Sequence, residues 1–345
     1  MNAITSEISR PRTAVPVRAL LVIGGLVVLV AAVSIWSIGV GAVPVRVEVI
    51  INTLFGLEGE KQTYIIMKSR LPRIVLALLS GMALGLSGAI IQAVIRNPLA
   101  NPNIIGINSG AALFALLLAM VFPAVPLTYM PLAACLGGIA AAAIVLLVAH
   151  FRNLSAIHLA LVGVAVGFVF EAGVDYLIVT ASDNESSTPL IWLTGSLWGR
   201  NWSHVESSWL PLLALSAAAL LVGFRLNIVA LGDAMATGLG LNAGWQRMLL
   251  LTIATLLASV AVAVVGVMGF IGLMAPHIAR RLVGGDHRVM LPVAALVGML
   301  LVVLADAIGR AIAPPIEVSA GILAAIIGAP FFIYIMLTAT GEQES

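Results

Sequence analysis

The chain has 345 residues, of which 61% are apolar and only 9% are charged, with a formal net charge of +2. Soluble globular chains average about 45–50% apolar and about 25% charged residues, so the composition argues against a soluble enzyme, a nucleic-acid-binding protein or a disordered chain. It is typical of an integral membrane protein, because about 210 apolar residues suffice for roughly ten membrane spans of about 20 residues each.

The N-terminal region predicts a short tail followed by a membrane helix. Residues 1–18 are polar and contain Arg10, Arg12 and Arg18. The apolar run Ala19–Gly41 is 23 residues long. Since a signal peptide has an apolar region of about 7–15 residues and a small-residue cleavage site, which is absent here, we predict a retained first span. We interpret residues 1–18 as a cytoplasmic tail.

Nine further apolar runs predict the rest of an all-α, polytopic membrane domain over residues 19–340, followed by a cytoplasmic tail at 341–345. These runs are Pro72–Ile95, Ile104–Phe122, Pro131–Ala149, Ile157–Thr180, Ser208–Phe224, Met248–Phe270, Ile271–Val283, Met290–Ile312 and Val318–Thr338. Ile271–Val283 is too short to cross a bilayer upright, and we interpret it as a half-helix shielded by its neighbours.

The distribution of basic residues predicts the sidedness of the chain. Ten crossings put both termini on one side, and with the N-terminus in the cytoplasm ten of the 17 basic residues lie inside. This follows the positive-inside rule. Four of the seven outer basic residues lie between Lys61 and Arg73, inside or beside a charged segment, 43–70, that is predicted to be an outer loop.

The order of the spans also has the arrangement of an inverted repeat, which many transporters share. Four spans from Pro72 and four from Met248 each start rich in glycine, and each group has a polar break that contains proline. The first break is Arg96–Asn103 and the second is Pro276–Arg288. The first group starts on the outer side and the second on the inner side.

Motifs for phosphate binding, metal binding and catalysis are absent from the sequence. It has no G-x-x-x-x-G-K-[ST] motif, so we do not expect this chain to hold ATP by a P-loop. It has no H-E-x-x-H motif, and its five histidines have no spacing that puts two ligands on one helix face. We therefore predict no catalytic residues, no metal site and no cofactor.

Charged residues inside the spans are few, and each is costly in a bilayer. Glu171 and Asp175 lie four residues apart near the outer end of one span, and Asp306 and Arg310 do so near the outer end of another. Two interpretations of this second pair are open. Asp306 and Arg310 form a local ion pair, or Arg310 faces outward and binds an acidic partner. A transporter driven by protons or sodium favours carboxylates near the midplane, and none is predicted there.

The inner segment Leu231–Gly244 predicts two short helices joined near Gly238–Gly240. Ala, Met and Leu favour a helix, and Asp233 suits its first turn. Two interpretations are open. The segment is an ordinary connection, or it docks into a groove on another protein.

Taken together, these features resemble the FecCD-type permease subunits of ABC importers for iron chelates and vitamin B12. The resemblance covers residues 19–338. Its motifs are Arg70-Leu-Pro-Arg73, Ser87-Gly-Ala-Ile-Ile-Gln92, Arg96-Asn-Pro-Leu-Ala-Asn-Pro102, Leu231-Gly-Asp233 with Leu239-Gly240, Gly269-Phe-Ile-Gly-Leu-Met-Ala-Pro-His277, Ala305-Asp-Ala-Ile-Gly-Arg310 and Gly328-Ala-Pro330. Within the family, residues 190–200 are most similar to the ferric dicitrate permease subunits.

The resemblance implies a type II ABC importer permease in the inner membrane, with about ten helices per subunit. It implies a second permease subunit, identical or related, a separate cytoplasmic ATPase and a periplasmic binding protein that delivers an iron(III) chelate such as ferric citrate or a siderophore. The permease itself would then not be an enzyme. Two alternatives from other classes are a secondary transporter driven by an ion gradient and a membrane-embedded enzyme.

The resemblance also implies roles for individual residues. The outer arginines Arg70, Arg73 and Arg310 would bind acidic residues of the binding protein, through the planar guanidinium that pairs with carboxylates. The ATPase-coupling residues would be Leu231, Gly232, Asp233, Ala236, Leu239 and Gly240, within the coupling segment 231–244. A cytoplasmic gate would lie at Ser155, Ala156 and Ile157.

Overall fold

The computed structural model describes residues 17–57, 59–152, 156–181 and 187–341, and over these ranges the fold is helical, without a β-strand. The helices are α1 (Val17–Gly39), α2 (Val47–Leu54), α3 (Glu60–Thr63), α4 (Leu71–Ile95), α5 (Ile107–Leu116), α6 (Met130–Phe151), α7 (Ala156–Thr180), α8 (Ser187–Leu193), α9 (Trp202–Leu221), α10 (Gly223–Ala230), α11 (Asp233–Gly238), α12 (Ala243–Val265), α13 (Ile271–Val283), α14 (His287–Ile312) and α15 (Ala320–Gly341). π-Helical turns precede α4 (Tyr64–Arg70) and extend α5 (Leu117–Val121). The all-α prediction is confirmed.

Each apolar run predicted from the sequence coincides with a helix, although the count of about ten spans is only loosely matched. Among the described residues, 7 helical segments are long and apolar enough to cross a membrane. The remaining predicted runs correspond to two shorter apolar stretches, Ile107–Val121 and Ala320–Ile335, and to the 13-residue α13. The largest boundary difference is at α9, which begins at Trp202 because Asn201 and His204 cap its polar first turn.

Two loop predictions need correction. The outer segment 43–70 is largely helical, since it contains α2, α3 and the π-helical turn that leads into α4. The predicted break Pro276–Arg288 is confined to residues 284–286, because Pro276 lies inside α13, which ends at Val283. A further interruption, between α12 and α13, spans residues 266–270, where Phe270 has a left-handed φ of 64°.

The helix α4 lies at the centre of the fold. Its residues are almost all buried, and it packs against α14, α12, α13 and α9. The contact with α14 is the most extensive, and glycines of the two helices face each other there. A Cβ atom at Gly81 would lie 2.4 Å from the Gly298 carbonyl oxygen, and one at Gly298 would lie 2.1 Å from the Gly81 carbonyl oxygen. The two backbones are therefore in direct contact, as small residues permit in membrane helices.

The helices α1 and α7 lie at the periphery and leave most of their side chains exposed. On α1 the exposed residues are apolar, such as Leu21 and Val28, which suits contact with lipid. On α7, in contrast, Glu171 and Asp175 are exposed along one face together with Phe168 and Tyr176. Carboxylates in membrane spans face protein or water-filled space, so this face of α7 is suited to a subunit interface or an aqueous path.

The contact between α4 and α14 predicts a strong effect of one methyl group. We expect Gly298→Ala to destabilise the folded protein by about 1–3 kcal/mol, because the new Cβ must push the two backbones apart. The measurement is the thermal unfolding midpoint of the purified protein in detergent. Gly25→Ala on α1 is the matched control, since no atom lies within 4 Å of a Cβ built there. Equal midpoints for both variants would contradict the proposed tight crossing.

Candidate functional sites at the two ends of the helix bundle

One site is a cluster of charges at the end of the bundle where α4 begins and α14 ends, which we call the outer end, following the predicted sidedness. Arg73 donates from Nε to Asp306 Oδ1 at 2.8 Å and from its NH1 group to Glu317 Oε2 at 2.7 Å. Arg310 donates from Nε to Asp306 Oδ2 at 3.1 Å. The Asp306 side chain is only 1% exposed, so one buried carboxylate is shared by two arginines.

The same cluster holds the chain segment that follows α1. Arg310 donates to the Ser37 and Val40 carbonyl oxygens and to Ser37 Oγ. Arg70 donates to the Ile38 and Val43 carbonyl oxygens. Buried guanidinium groups require such acceptors, because an unpaired charge is very costly away from water. The arginines therefore fix residues 37–43 against the ends of α4 and α14.

The three arginines assigned to docking thus lie in one cluster, but they differ in access. Arg70 and Arg310 are 7% and 4% exposed. The Arg73 side chain is 12% exposed and reaches Glu317, whose side chain is 29% exposed and forms the rim of the cluster. The local Asp306–Arg310 pair predicted from the spacing is confirmed. The sequence does not indicate that Arg73 shares Asp306, because these residues are 233 positions apart.

A fourth outer arginine, Arg200, lies just before α9 and was not selected from the sequence. Its NH1 group is 3.1 Å from His204 Nε2, and its Nε is buried without a partner among the described residues. Burial lowers the pKa of Arg200 to about 10.

The neighbouring Trp202 donates from its indole nitrogen to the Met67 carbonyl oxygen at 2.7 Å, which attaches α9 to the turn that carries Arg70.

The second site, at the opposite or inner end, is the coupling segment 231–244. Asp233 begins α11 and forms ion pairs with Arg247 of α12 and with Arg96, which ends α4, the latter at 3.4 Å. The prediction of short helical structure at Asp233 is confirmed by α11, and the second predicted helix is the first turn of α12, capped by Asn242. The segment is thus attached to two long helices of the core.

The side chains of this segment separate into a buried and an exposed set. Ala236 is fully buried against the bundle. Leu231, Met235 and Leu239 are about 60% exposed each. Met235 and Leu239 lie one helical turn apart, on α11 and at its C-terminal end, whereas Leu231 ends α10. Gly232 and Gly240 bracket α11 with φ values of 104° and 84°, which favour glycine. The result is a compact turn with three exposed apolar side chains.

The predicted gate falls at the edge of the described residues. Ser155 lies outside them, and Ala156 and Ile157 are the first residues of α7. Leu159, in the first turn of α7, lines a cavity of about 830 Å³ together with His150 of α6 and with Trp245 and Arg247 of α12, among others. Among the described residues, no three His, Cys, Asp or Glu side chains are grouped in a way that could hold a metal ion.

Comparison with known proteins gives a consistent result along the chain. The FecCD transport family matches residues 28–338. A Fe(3+)-citrate import system permease protein, YfmE of Bacillus subtilis (strain 168), is 44% identical, and the alignment covers 92% of this chain and 95% of that protein. The Fe(3+) dicitrate transport system permease protein FecD of Escherichia coli (strain K12) is 40% identical over 89% of this chain and 95% of that protein.

The fold has a solved counterpart as well. A structure described as an inward-facing conformation of a metal-chelate type ABC transporter superposes with a TM-score of 0.81 at 31% sequence identity. The superposition covers 92% of this chain and 99% of the other.

The shared carboxylate predicts an asymmetry between two acidic substitutions. We expect Asp306→Asn to destabilise the protein by about 3–5 kcal/mol, because two buried guanidinium groups lose their common counter-charge. Glu317→Gln is the matched control and should cost no more than about 1 kcal/mol, because its carboxylate lies at the rim. Thermal unfolding of both purified variants is the measurement, and equal losses would show that Asp306 is not the centre of the cluster.

Proposed function

The chain belongs to the FecCD transport family, and we propose how it moves its cargo as the permease subunit of an ATP-driven importer for iron(III) chelates. Its relatives include permeases for Fe(3+)-citrate at 40–44% identity over most of the chain. The family resemblance stated from the sequence is therefore confirmed. None of the relatives and structures named above supports the alternative of a transporter driven by an ion gradient.

We infer that two copies of this subunit, or this subunit and a related one, enclose the path of the cargo. The observation that favours this is the exposed face of α7 with Glu171 and Asp175. Two carboxylates facing lipid would be unfavourable by several kcal/mol. The face therefore suits a water-filled path between two permease subunits, and the relatives make ferric citrate the first candidate cargo.

The binding protein is proposed to dock at the outer cluster. Arg70 and Arg310 already bind backbone carbonyl groups, so their proposed contribution is to fix the conformation of residues 37–43 for the partner. Arg73 is the arginine that can exchange partners, because Glu317 at the rim occupies one edge of its guanidinium. An acidic residue of the binding protein would replace Glu317 there.

The ATPase is proposed to be a separate cytoplasmic subunit that receives the exposed apolar side chains of Leu231, Met235 and Leu239. An amphipathic helix in a hydrophobic groove is a common mode of docking. Movement of the ATPase would shift the coupling segment and open the gate at Ser155, Ala156 and Ile157, so that the path faces the two sides in turn. The cytoplasmic placement of both termini belongs to the same proposal, with the chain in the inner membrane.

The proposal predicts uptake that requires ATP. Proteoliposomes containing this permease with the ATPase and permease partner expected beside it in the genome, and loaded with ATP, should accumulate ⁵⁵Fe-citrate when the binding protein is added outside. Vesicles that lack the ATPase but carry a proton or sodium gradient are the control. Accumulation in the control vesicles, and none with ATP, would overturn the proposal in favour of a secondary transporter.

The docking proposal predicts a specific loss for Arg73. We expect Arg73→Gln to weaken binding of the loaded binding protein about tenfold, which corresponds to about 1.4 kcal/mol. Binding to the permease complex in nanodiscs is the measurement. Lys68→Gln, an exposed cation close by, is the control and should change little. Glu317→Gln should tighten binding, because it frees the outer edge of Arg73.

Two results would count against this assignment. Unchanged binding by Arg73→Gln, with a normal unfolding midpoint, would make the cluster purely structural. Equal losses for Arg73→Gln and Lys68→Gln would indicate a diffuse electrostatic attraction instead of a defined contact.

A further inference from the structure

The asparagine Asn227 joins the inner site to α14. It lies on α10, the helix that leads directly into the coupling segment 231–244. Its Nδ2 donates to Asp286 Oδ1 at 2.7 Å, and its Oδ1 accepts from the His287 backbone N–H at 2.9 Å. His287 Nδ1 lies 2.7 Å from the same oxygen. Because an amide oxygen can only accept, this nitrogen carries the proton and donates as well.

The partners of Asn227 are the first residues of α14. Asp286 is the N-cap of that helix and accepts from the Arg288 backbone N–H at 3.0 Å. Hydrogen bonds from the Arg288 side chain, and secondarily from Asn227, lower the pKa of Asp286 to about 2, so it stays ionised. The His287 residue is 5% exposed. The Asn227 side chain therefore binds both the ionised Asp286 carboxylate and the buried His287 imidazole at the N-terminal end of α14.

The first turn of α14 depends on such outside support. Pro292 lies inside the helix, and a proline has no N–H to donate to the carbonyl group four residues earlier, here that of Arg288. The turn is thus held by one fewer helical hydrogen bond. The three bonds with Asn227 fix this turn to α10, and Gly223 of α10 keeps the backbones close, since a Cβ there would lie 3.3 Å from the His287 carbonyl oxygen.

The far end of α14 carries the outer cluster. Asp306 and Arg310 lie roughly 28 Å and roughly 35 Å from His287 along the helix, at about 1.5 Å per residue. Between the two ends, the backbone contact of Gly298 with Gly81 prevents α14 from sliding freely past α4. A displacement of the first turn of α14 therefore moves α14 and α4 together and reaches the arginines that hold residues 37–43.

We propose that Asn227 is a positioning residue that makes the coupling segment and α14 move together, so that binding-protein docking outside and ATP hydrolysis inside are coupled. This inference rests on the proposed function of the chain. It requires no contact between Asn227 and the cargo, the ATPase or the binding protein. Its energetic basis is the pairing of an amide donor with Asp286 and of an amide acceptor with His287.

The test is an exchange of side chains in the complete complex of permease, ATPase and binding protein in nanodiscs. The readout is the ratio of ATP hydrolysis with and without the loaded binding protein, together with the binding-protein concentration that gives half of the stimulation. Asn227→Asp puts a second carboxylate against Asp286 and should lower the ratio about fivefold, the scale of a typical coupling free energy. The half-stimulating concentration should stay unchanged, because docking is intact.

The exchange variant separates this role from simple destabilisation. In Asn227→Asp with Asp286→Asn, residue 227 still accepts from His287, residue 286 supplies the amide donor, and asparagine still caps α14. We expect this double variant to recover the stimulation ratio. Asn97→Asp is the matched control, since it adds the same charge at an exposed position of the inner end, where the Asn97 side chain accepts from the Leu99 backbone N–H. Its ratio should equal that of the original protein.

The outcomes distinguish the inference from the function on which it rests. A normal ratio in Asn227→Asp, or a loss that the double variant does not recover, would overturn the inference alone. Equal losses in Asn227→Asp and Asn97→Asp would assign the effect to charge and would also overturn it. If Asn227→Asp does not accumulate in the membrane, Asn227→Ala is measured in the same way. A complex of the original subunits that shows no stimulation at all would overturn the proposed function itself.

Discussion

The contact between the backbones of α4 and α14 is the constraint on which the rest of the structure depends. Gly81 and Gly298 leave no space for a Cβ on either helix, and Gly85 lies equally close to Ala294. In a membrane, where apolar side chains gain little by leaving lipid, such close packing is a main source of helix association. Because the contact sets the register of the two helices, it also places Arg73 opposite Asp306 at one end of the bundle.

The outer cluster shows how a membrane protein keeps cations at its edge. Asp306 is shared by two arginines, and backbone carbonyl groups of residues 37–43 accept the remaining hydrogen bonds of Arg70 and Arg310. This arrangement satisfies the charges without exposing them. In the proposed docking, a partner carboxylate enters the network by replacing Glu317, whose side chain is 29% exposed. Recognition at such a site would depend on where the partner places its carboxylate more than on the net charge of the partner.

The sequence predicts the helices well and the contacts poorly, for a physical reason. Long apolar runs can only be helices in a bilayer, so the placement of α1, α4 and α12 follows from composition. The first turn of α9 is polar, so a search for apolar runs does not find it, although Asn201 and His204 form a capping box there. The Asp306–Arg310 pair follows from helical spacing, whereas the burial of Arg70 depends on carbonyl groups more than 25 residues away, which no local pattern indicates.

The distribution of strong and exchangeable contacts defines which parts of the molecule can move. In the middle of the bundle, α4 and α14 touch through backbone atoms, and separating them would expose peptide groups and open voids. At the inner end, the coupling segment is held by side chains: Asp233 is shared by Arg96 and Arg247, and Asn227 reaches α14. The bonds of Asp233 lie near water and can be remade at little cost, whereas Asn227 binds the buried first turn of α14, so the proposed coupling runs through Asn227 and the tightly packed core. In the proposed transport cycle, exposed α7, with its two carboxylates, is the helix whose neighbours change as the path opens.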